Sequence, residues 1–163
     1  MFAAMEGSRP VLAEVQALVA KSAYGTPRRS VVGWDGGRLA MLLAVLEARC
    51  GITLAGMDVY LSVAGGYRIS EPAGDLAAAA ALLTSLSSAP APQRSVFFGE
   101  VALSGAVRPV ARMEQRLKEA ERLGFERAFV PEGSPTAVDG LTVTPIKRLI
   151  ELVELLAPDA LNA

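Results

Sequence analysis

The 163-residue chain contains no histidine and one cysteine, Cys50. Those two counts exclude a great deal of chemistry. Without histidine there is no Ser-His-Asp or Cys-His nucleophile, no histidine zinc site and no imidazole proton shuttle. One thiol cannot build a thiolate metal site or an internal disulfide framework, and it fits a reducing compartment. Ser or Thr activated by Lys, paired carboxylates, or Tyr remain for catalysis. The phosphate loop G-x-x-x-x-G-K-[ST] is absent, as is a strand-following G-x-G-x-x-G. The chain therefore offers neither of these nucleotide-binding devices.

Arginine is the other chemistry-bearing residue, with thirteen copies against three lysines. Its fork of N–H donors suits phosphate and carboxylate, although a GC-rich or thermophilic host produces the same bias. Net charge is −1, so no global field draws in nucleic acid. The charge is uneven, however: residues 1–118 carry +3 and residues 119–163 carry −4. Two local clusters stand out. The first is Lys21, Arg28, Arg29 and Arg38, offset by Asp35. The second is Arg108, Arg112, Arg116 and Lys118, offset by Glu114. Arg112 and Arg116 are four apart and share a helix face. Such rows neutralise phosphates, bridge subunits, or simply face solvent, and spacing alone leaves all three readings open. Trp34, Tyr24, Tyr60 and Tyr67 are scattered, so no stacking platform for single strands is evident. Contact with the backbone of duplex DNA is the more natural form.

The elements that must position these residues follow from periodicity and punctuation. Val11–Val19 alternates and predicts a strand, as do Ser30–Gly33, Met57–Ala64 and Val96–Leu103. Asp35 predicts an N-cap for a helix to about Arg49, ended by Gly51. Ser70-Glu71-Pro72 predicts a second helix start, with Ser70 capping, running through Ala-rich sequence to about Leu86. Residues 87–94 read as a loop, the most flexible part of the chain. Helices are expected over Met113–Leu123 and Ile146–Leu156, and short strands over Arg127–Val130 and Leu141–Val143. Residues 1–9 read as an upstream linker. One domain of mixed sheet with packed helices is the expected architecture, α+β in class. The apolar fraction is 52%, yet no apolar run approaches the ~20 residues that a membrane helix needs.

The strings RPVLAEVQALV, PRRSVVGWDGGRLAMLLAVLEARCGI, DVYLSVAGGYRISEPAGDLAAAAALLTSL and FFGEVALSGAVRPVARMEQRLKEAERLGFERAFVPEG cover about residues 9–133. Together they resemble the C-terminal part of the RadA (Sms) family of bacterial DNA repair proteins. That part is similar to the proteolytic domain of Lon protease. The resemblance implies a Lon protease-like fold of the ribosomal protein S5 domain 2-like class. It also implies a parent with a zinc finger and a RecA-like ATPase, using Zn, ATP and Mg, whose CxxC pairs, phosphate loop and Lys-Asn-Arg-Phe-Gly motif are missing here. No cofactor is expected in this chain. The implied parent is a cytoplasmic hexameric ring acting in recombination and branch migration.

Lon peptidases use a Ser-Lys dyad that needs no histidine, so the dyad must be tested by position. The peptidase serine lies in a Pro-Lys-Asp-Gly-Pro-Ser-Ala-Gly stretch, which falls here on Ala73 or Gly74. The lysine follows a Leu-Pro-Val-Gly-Gly-Leu segment, and Glu114 stands there instead. Ser70 and Lys118 are the nearest substitutes, but a cap and a solvated ion pair explain them. Glu71, Asp75 and Glu114 could form a carboxylate pair, although nothing in their spacing demands it. The expectation is a domain without peptidase activity that scaffolds a ring and touches DNA through Arg28, Arg29, Arg38, Arg112, Arg116 and Lys118. A pure oligomerisation module and an active Ser-Lys peptidase are the rivals.

Overall fold

The computed structural model describes residues 2–6, 9–87 and 89–161. Among these residues, ten strands and four α-helices are arranged around one apolar core. The amino-terminal strands β1 (Phe2–Glu6) and β2 (Arg9–Ala13) form an antiparallel hairpin. The expected linker is thus largely a strand, because its run of non-Pro, non-Gly residues can satisfy its backbone groups against β2. Met1, Gly7 and Ser8 lie outside the described residues, as does Ser88 in the loop expected to be most flexible.

The expected strand Val11–Val19 is two strands. The second, β3 (Val15–Lys21), leaves the hairpin after Glu14, whose carbonyl accepts from Ala64 N at 2.9 Å. β3 joins a sheet with β4 (Arg29–Val32) and β5 (Met57–Val63). The order is β3-β5-β4, antiparallel on one side of β5 and parallel on the other. The predicted alternation holds within β3: Val19 is buried while Gln16, Leu18 and Ala20 are exposed.

Between β4 and β5 runs α1 (Gly36–Cys50). The Asp35 carboxylate accepts from Arg38 N at 2.8 Å, satisfying one of the free N–H groups of the first turn. Gly51 closes the helix at φ +70°, in the left-handed region that glycine enters without penalty. The second helix, α2 (Asp75–Leu86), follows a single 3-10 turn, Pro72–Gly74. Ala77 to Ala80 are all buried, and these small side chains let α2 lie close against β3 and the carboxy-terminal helix. Ser85 Oγ at its far end accepts from Val19 N at 2.8 Å.

The predicted strand over Val96–Leu103 breaks into β6 (Ser95–Phe97) and β7 (Glu100–Val101). Gly99 is the reason. A Cβ there would stand 2.8 Å from Val107 Cγ1, and its N–H and C=O serve Ala73 O and Leu76 N. β7 pairs antiparallel with β8 (Val107–Arg108), and α3 (Met113–Arg122) follows. β9 (Arg127–Pro131) and β10 (Thr142–Ile146) complete an all-parallel sheet in the order β10-β9-β6. The Phe97 and Phe129 rings stack there at 4.8 Å. β10 runs three residues beyond its expected end. Pro145 is tolerated because β10 is an edge strand. The last helix, α4 (Leu149–Leu156), therefore starts three residues later than Ile146. It buries Leu149, Leu152, Val153 and Leu156, each contributing about 1.5–3 kcal/mol by leaving water. The result is mixed α/β with mixed sheets and four helices, in agreement with the coarse class read from the sequence.

Candidate functional site

The turn before α2 and the start of α3 are drawn together by one ion pair. Arg116 Nη1 donates to Glu71 Oε1 at 3.1 Å and Nη2 to Glu71 Oε2 at 2.6 Å, while Nε donates to the Ala111 carbonyl at 3.1 Å. Arg116 is 1% exposed. That burial removes it from the set of phosphate contacts expected from the sequence: its guanidinium faces a carboxylate in the interior, and water and polyanions do not reach it. Its place on the buried stripe Met113, Arg116, Leu117 and Ala120 was a readable signal.

The two positions expected for a nucleophile are buried at the same turn. A Cβ on Gly74 would sit 2.9 Å from Trp34 Cη2 and 3.0 Å from Ile69 Cγ2. Trp34 thus packs at the strand-to-helix turn. Its Nε1 is buried without a hydrogen-bond partner among the described residues. Gly74→Ser is therefore expected to destabilise the fold by about 1–3 kcal/mol through overpacking. Urea denaturation measures this, and a variant as stable as the parent refutes it. Ser70 is exposed and makes no capping bond to the helix that follows, so its expected role as a cap is corrected. Pro72 at the start of the 3-10 turn lacks an N–H, and Gly74 N donates to Glu71 O, which leaves the hydroxyl little to satisfy.

Glu114 and Lys118 both point into solvent and pair with each other at 2.8 Å, one helical turn apart. Lys118 donates to the Glu114 carboxyl, holding it below the usual range, and the same bond raises the Lys118 ammonium. Arg112 is exposed at φ +58°, just before α3.

The remaining basic residues divide differently from their order in sequence. Arg28 lies over the Tyr24 ring at 5.4 Å, and its backbone N–H donates to Asp58 Oδ1 at 2.7 Å. Arg29 donates from Nη1 to Met57 O and from Nη2 to Leu54 O, the latter at 3.4 Å. Arg38 leaves that neighbourhood and grips Asp75, with Nε 2.9 Å from Oδ1 and Nη2 bonded to Oδ2. Asp75 is completely buried and also accepts from Val101 N at 3.1 Å. Burial pushes its carboxyl above the usual range, against the lowering effects of Arg38 and Val101. Arg38 shares a groove of about 300 Å³ with Arg108, so one member of each expected cluster meets there. Arg49 and Arg148 are close by, at the turn between β7 and β8. Sequence reasoning missed both, because nothing local connects positions so far apart. Among the described residues, no group of three or more acidic or Cys side chains is placed to hold a metal ion, and no helix is long and apolar enough to cross a membrane.

A mixed α/β domain with this segment from α1 to β9 matches the family model described as subunit ChlI of Mg-chelatase over residues 44–134, more than half of the chain. The chain belongs to that family. Among curated proteins it is similar to the DNA repair protein RadA of Brucella abortus (strain 2308), with 66% identity over 134 residues, 82% of this chain and 29% of the relative. It is 49% identical to the RadA of Rickettsia prowazekii (strain Madrid E), over 96% of this chain and 35% of the relative. Identity to the RadA of Aquifex aeolicus (strain VF5) is 45%, over the same shares. The resemblance read from the sequence is borne out. The chain spans about a third of the length of these relatives.

Proposed function

We propose that this chain is the Lon-like domain of a RadA-type DNA repair protein, without peptidase activity of its own, which supports ring assembly and holds DNA by its backbone. The observation that carries the reading is the pair of positions where a Lon-type dyad belongs. Ala73, Gly74 and Glu114 supply no hydroxyl and no amine there, and the neighbouring residues are tied by the Glu71–Arg116 ion pair. A Ser-Lys dyad needs a hydroxyl and an amine within hydrogen-bond reach, and these positions carry neither. The parent activity would be a DNA-dependent ATPase in recombinational repair and branch migration, in the cytoplasm. Its ATP, Mg and Zn would belong to segments outside this domain. Binding to DNA would be independent of sequence, and a hexameric ring would multiply weak contacts from each copy.

Arg28, Arg29, Arg112 and Lys118 are exposed, and Arg38 is partly so. Titration of a labelled duplex is expected to show affinity falling about tenfold or more between 50 and 200 mM salt. Affinity should fall further in Arg28→Glu/Arg29→Glu or in Arg112→Glu/Lys118→Glu. Binding that ignores salt, or is undetectable, removes the DNA part of the reading. A second reading, assembly without DNA contact, is favoured by one observation. Leu18, Val32 and Tyr60 are exposed together on the outward face of the β3-β5-β4 sheet, as surfaces that meet another protein often are. It predicts a concentration-dependent mass in light scattering and no salt-sensitive DNA binding. An acyl adduct with a serine-reactive probe would restore the peptidase reading.

A further inference from the structure

The β3-β5-β4 sheet turns one face inward and leaves the other bare. Val59, Leu61 and Val63 alternate into the core, each at 2% exposure or less. The residues between them, with their neighbours on the flanking strands, make three rows across the outer face. The middle row is Leu18, Tyr60 and Ser30, and the next is Gln16, Ser62 and Val32. The third is Ala20 and Asp58, continued by Arg28, whose N–H donates to Asp58 Oδ1. Leu18 is 57% exposed and Val32 63%. Together with Tyr60 they line a groove of about 280 Å³ on this face. A solvated sheet face carries mainly polar side chains, and apolar side chains gathered on one mark a surface that meets another protein. The charges sit at the two ends of the face. Lys21, Arg28 and Arg29 are exposed at one, where the Asp58 carboxylate offsets them. Glu14, which accepts from Gln16 Nε2 at 3.0 Å, stands at the other.

We propose that a second copy of this chain covers the face, sheet against sheet, about a twofold axis that runs across the strands along the Leu18–Tyr60–Ser30 row. The inference names the occupant for the second reading above and rests on that reading. A twofold contact is self-complementary: what lies on the axis meets its own counterpart, and what lies to one side meets what lies to the other. Rotation about this axis sets the Leu18 and Tyr60 side chains of the two copies together, and each groove receives them from the facing sheet. It brings Lys21 to Glu14 of the other copy, since these two stand on either side of Leu18 along the chain. It brings Val32 to Arg28, whose aliphatic stem covers an apolar neighbour while the charge stays in water. An axis along the strands fails, because it lays β3 over β4 and sets Lys21 against Arg28. Charge therefore selects between the two packings. The pair is closed, unlike the head-to-tail contacts that build a ring, so it joins two chains or two rings. Three strands of four to seven residues make a small patch, and the association is expected to be weak and reversible.

The test is sedimentation velocity of the chain from about 10 to about 500 µM. Average mass is expected to double with concentration, from one chain to two or from one ring to two. Leu18→Asp/Tyr60→Asp is expected to weaken the association about thirtyfold or more, because each substitution acts twice in a symmetric pair. Both side chains are exposed in the single chain, so thermal unfolding should stay close to that of the unaltered chain. The charged ends supply a check that a folding defect does not imitate. Glu14→Lys and Lys21→Glu are each expected to weaken the pair about threefold, and Glu14→Lys/Lys21→Glu to restore it to within about twofold. If the chain associates and the Leu18/Tyr60 variant matches it within about twofold, this face is wrong and the assembly reading stands. A double charge variant weaker than either single one, or a mass that climbs past the doubling without a plateau, overturns the twofold contact. A chain that stays single at every concentration sinks the inference and the assembly reading together.

Discussion

Glu71→Ala is expected to cost about 3–5 kcal/mol of folding stability, the largest effect of any single substitution considered for this domain. Arg116 would keep its bond to the Ala111 carbonyl and lose the carboxylate that faces two of its nitrogens. Its side chain is 2% exposed, so water cannot replace that carboxylate without opening the junction between the turn at 71–75 and α3. The corresponding drop in melting temperature is roughly 10 °C for a chain of this size. Glu71→Leu/Arg116→Met should recover most of the loss, because an apolar pair of similar volume removes both charges at once. Calorimetry on the two variants decides the matter. A loss below about 1 kcal/mol in the single variant would mean that Arg116 reaches solvent in solution.

That ion pair also marks where sequence reasoning stopped. The helix carrying Arg116 was legible, since Met113, Leu117 and Ala120 repeat at helical spacing and Gly124 ends it. The arginine's charge suggests a phosphate contact, although its spacing places it on the apolar stripe. Its partner lies 45 residues away in another element, and no local pattern selects Glu71 over Glu114. Local chemistry was read more faithfully. Asp35 and Gly51 delimit α1 because capping involves only neighbouring residues. The Ala-rich stretch reads as a helix, and it is one. The break at Gly99 was hidden, because the apolar residues on both sides look like one strand until Val107 and the 73–76 turn approach it. The arginine patch was hidden for the same reason: positions 38, 49, 108 and 148 meet only after the hairpin docks on α1 and α4.

Arg38→Ala carries the second large effect, and its size depends on pH. In the folded chain Asp75 keeps a carboxyl that burial raises and Arg38 lowers, with the Glu100 charge raising it slightly further. A carboxyl whose folded pKa lies above its unfolded value binds its proton more tightly in the native state. Stability from that group is then fullest in acid and declines as pH rises through the folded value. Removing Arg38 takes away the main lowering influence, so the folded value climbs and the window extends toward neutral pH. Only the Val101 N–H would remain on the carboxylate among the described residues. At pH 7.5 the variant is expected to lose about 2–4 kcal/mol, because an ionised Asp75 would then lie buried without its counter-charge. As pH falls the same carboxyl takes up its proton more readily in the variant, and the deficit relative to the unaltered chain should shrink. Adding Asp75→Asn should flatten the pH dependence, since the amide cannot ionise. Thermal unfolding of the three chains across this range gives the answer: a deficit that is constant with pH, or greater in acid, would show that Arg38 stabilises α1 and α2 by packing and not by neutralising Asp75.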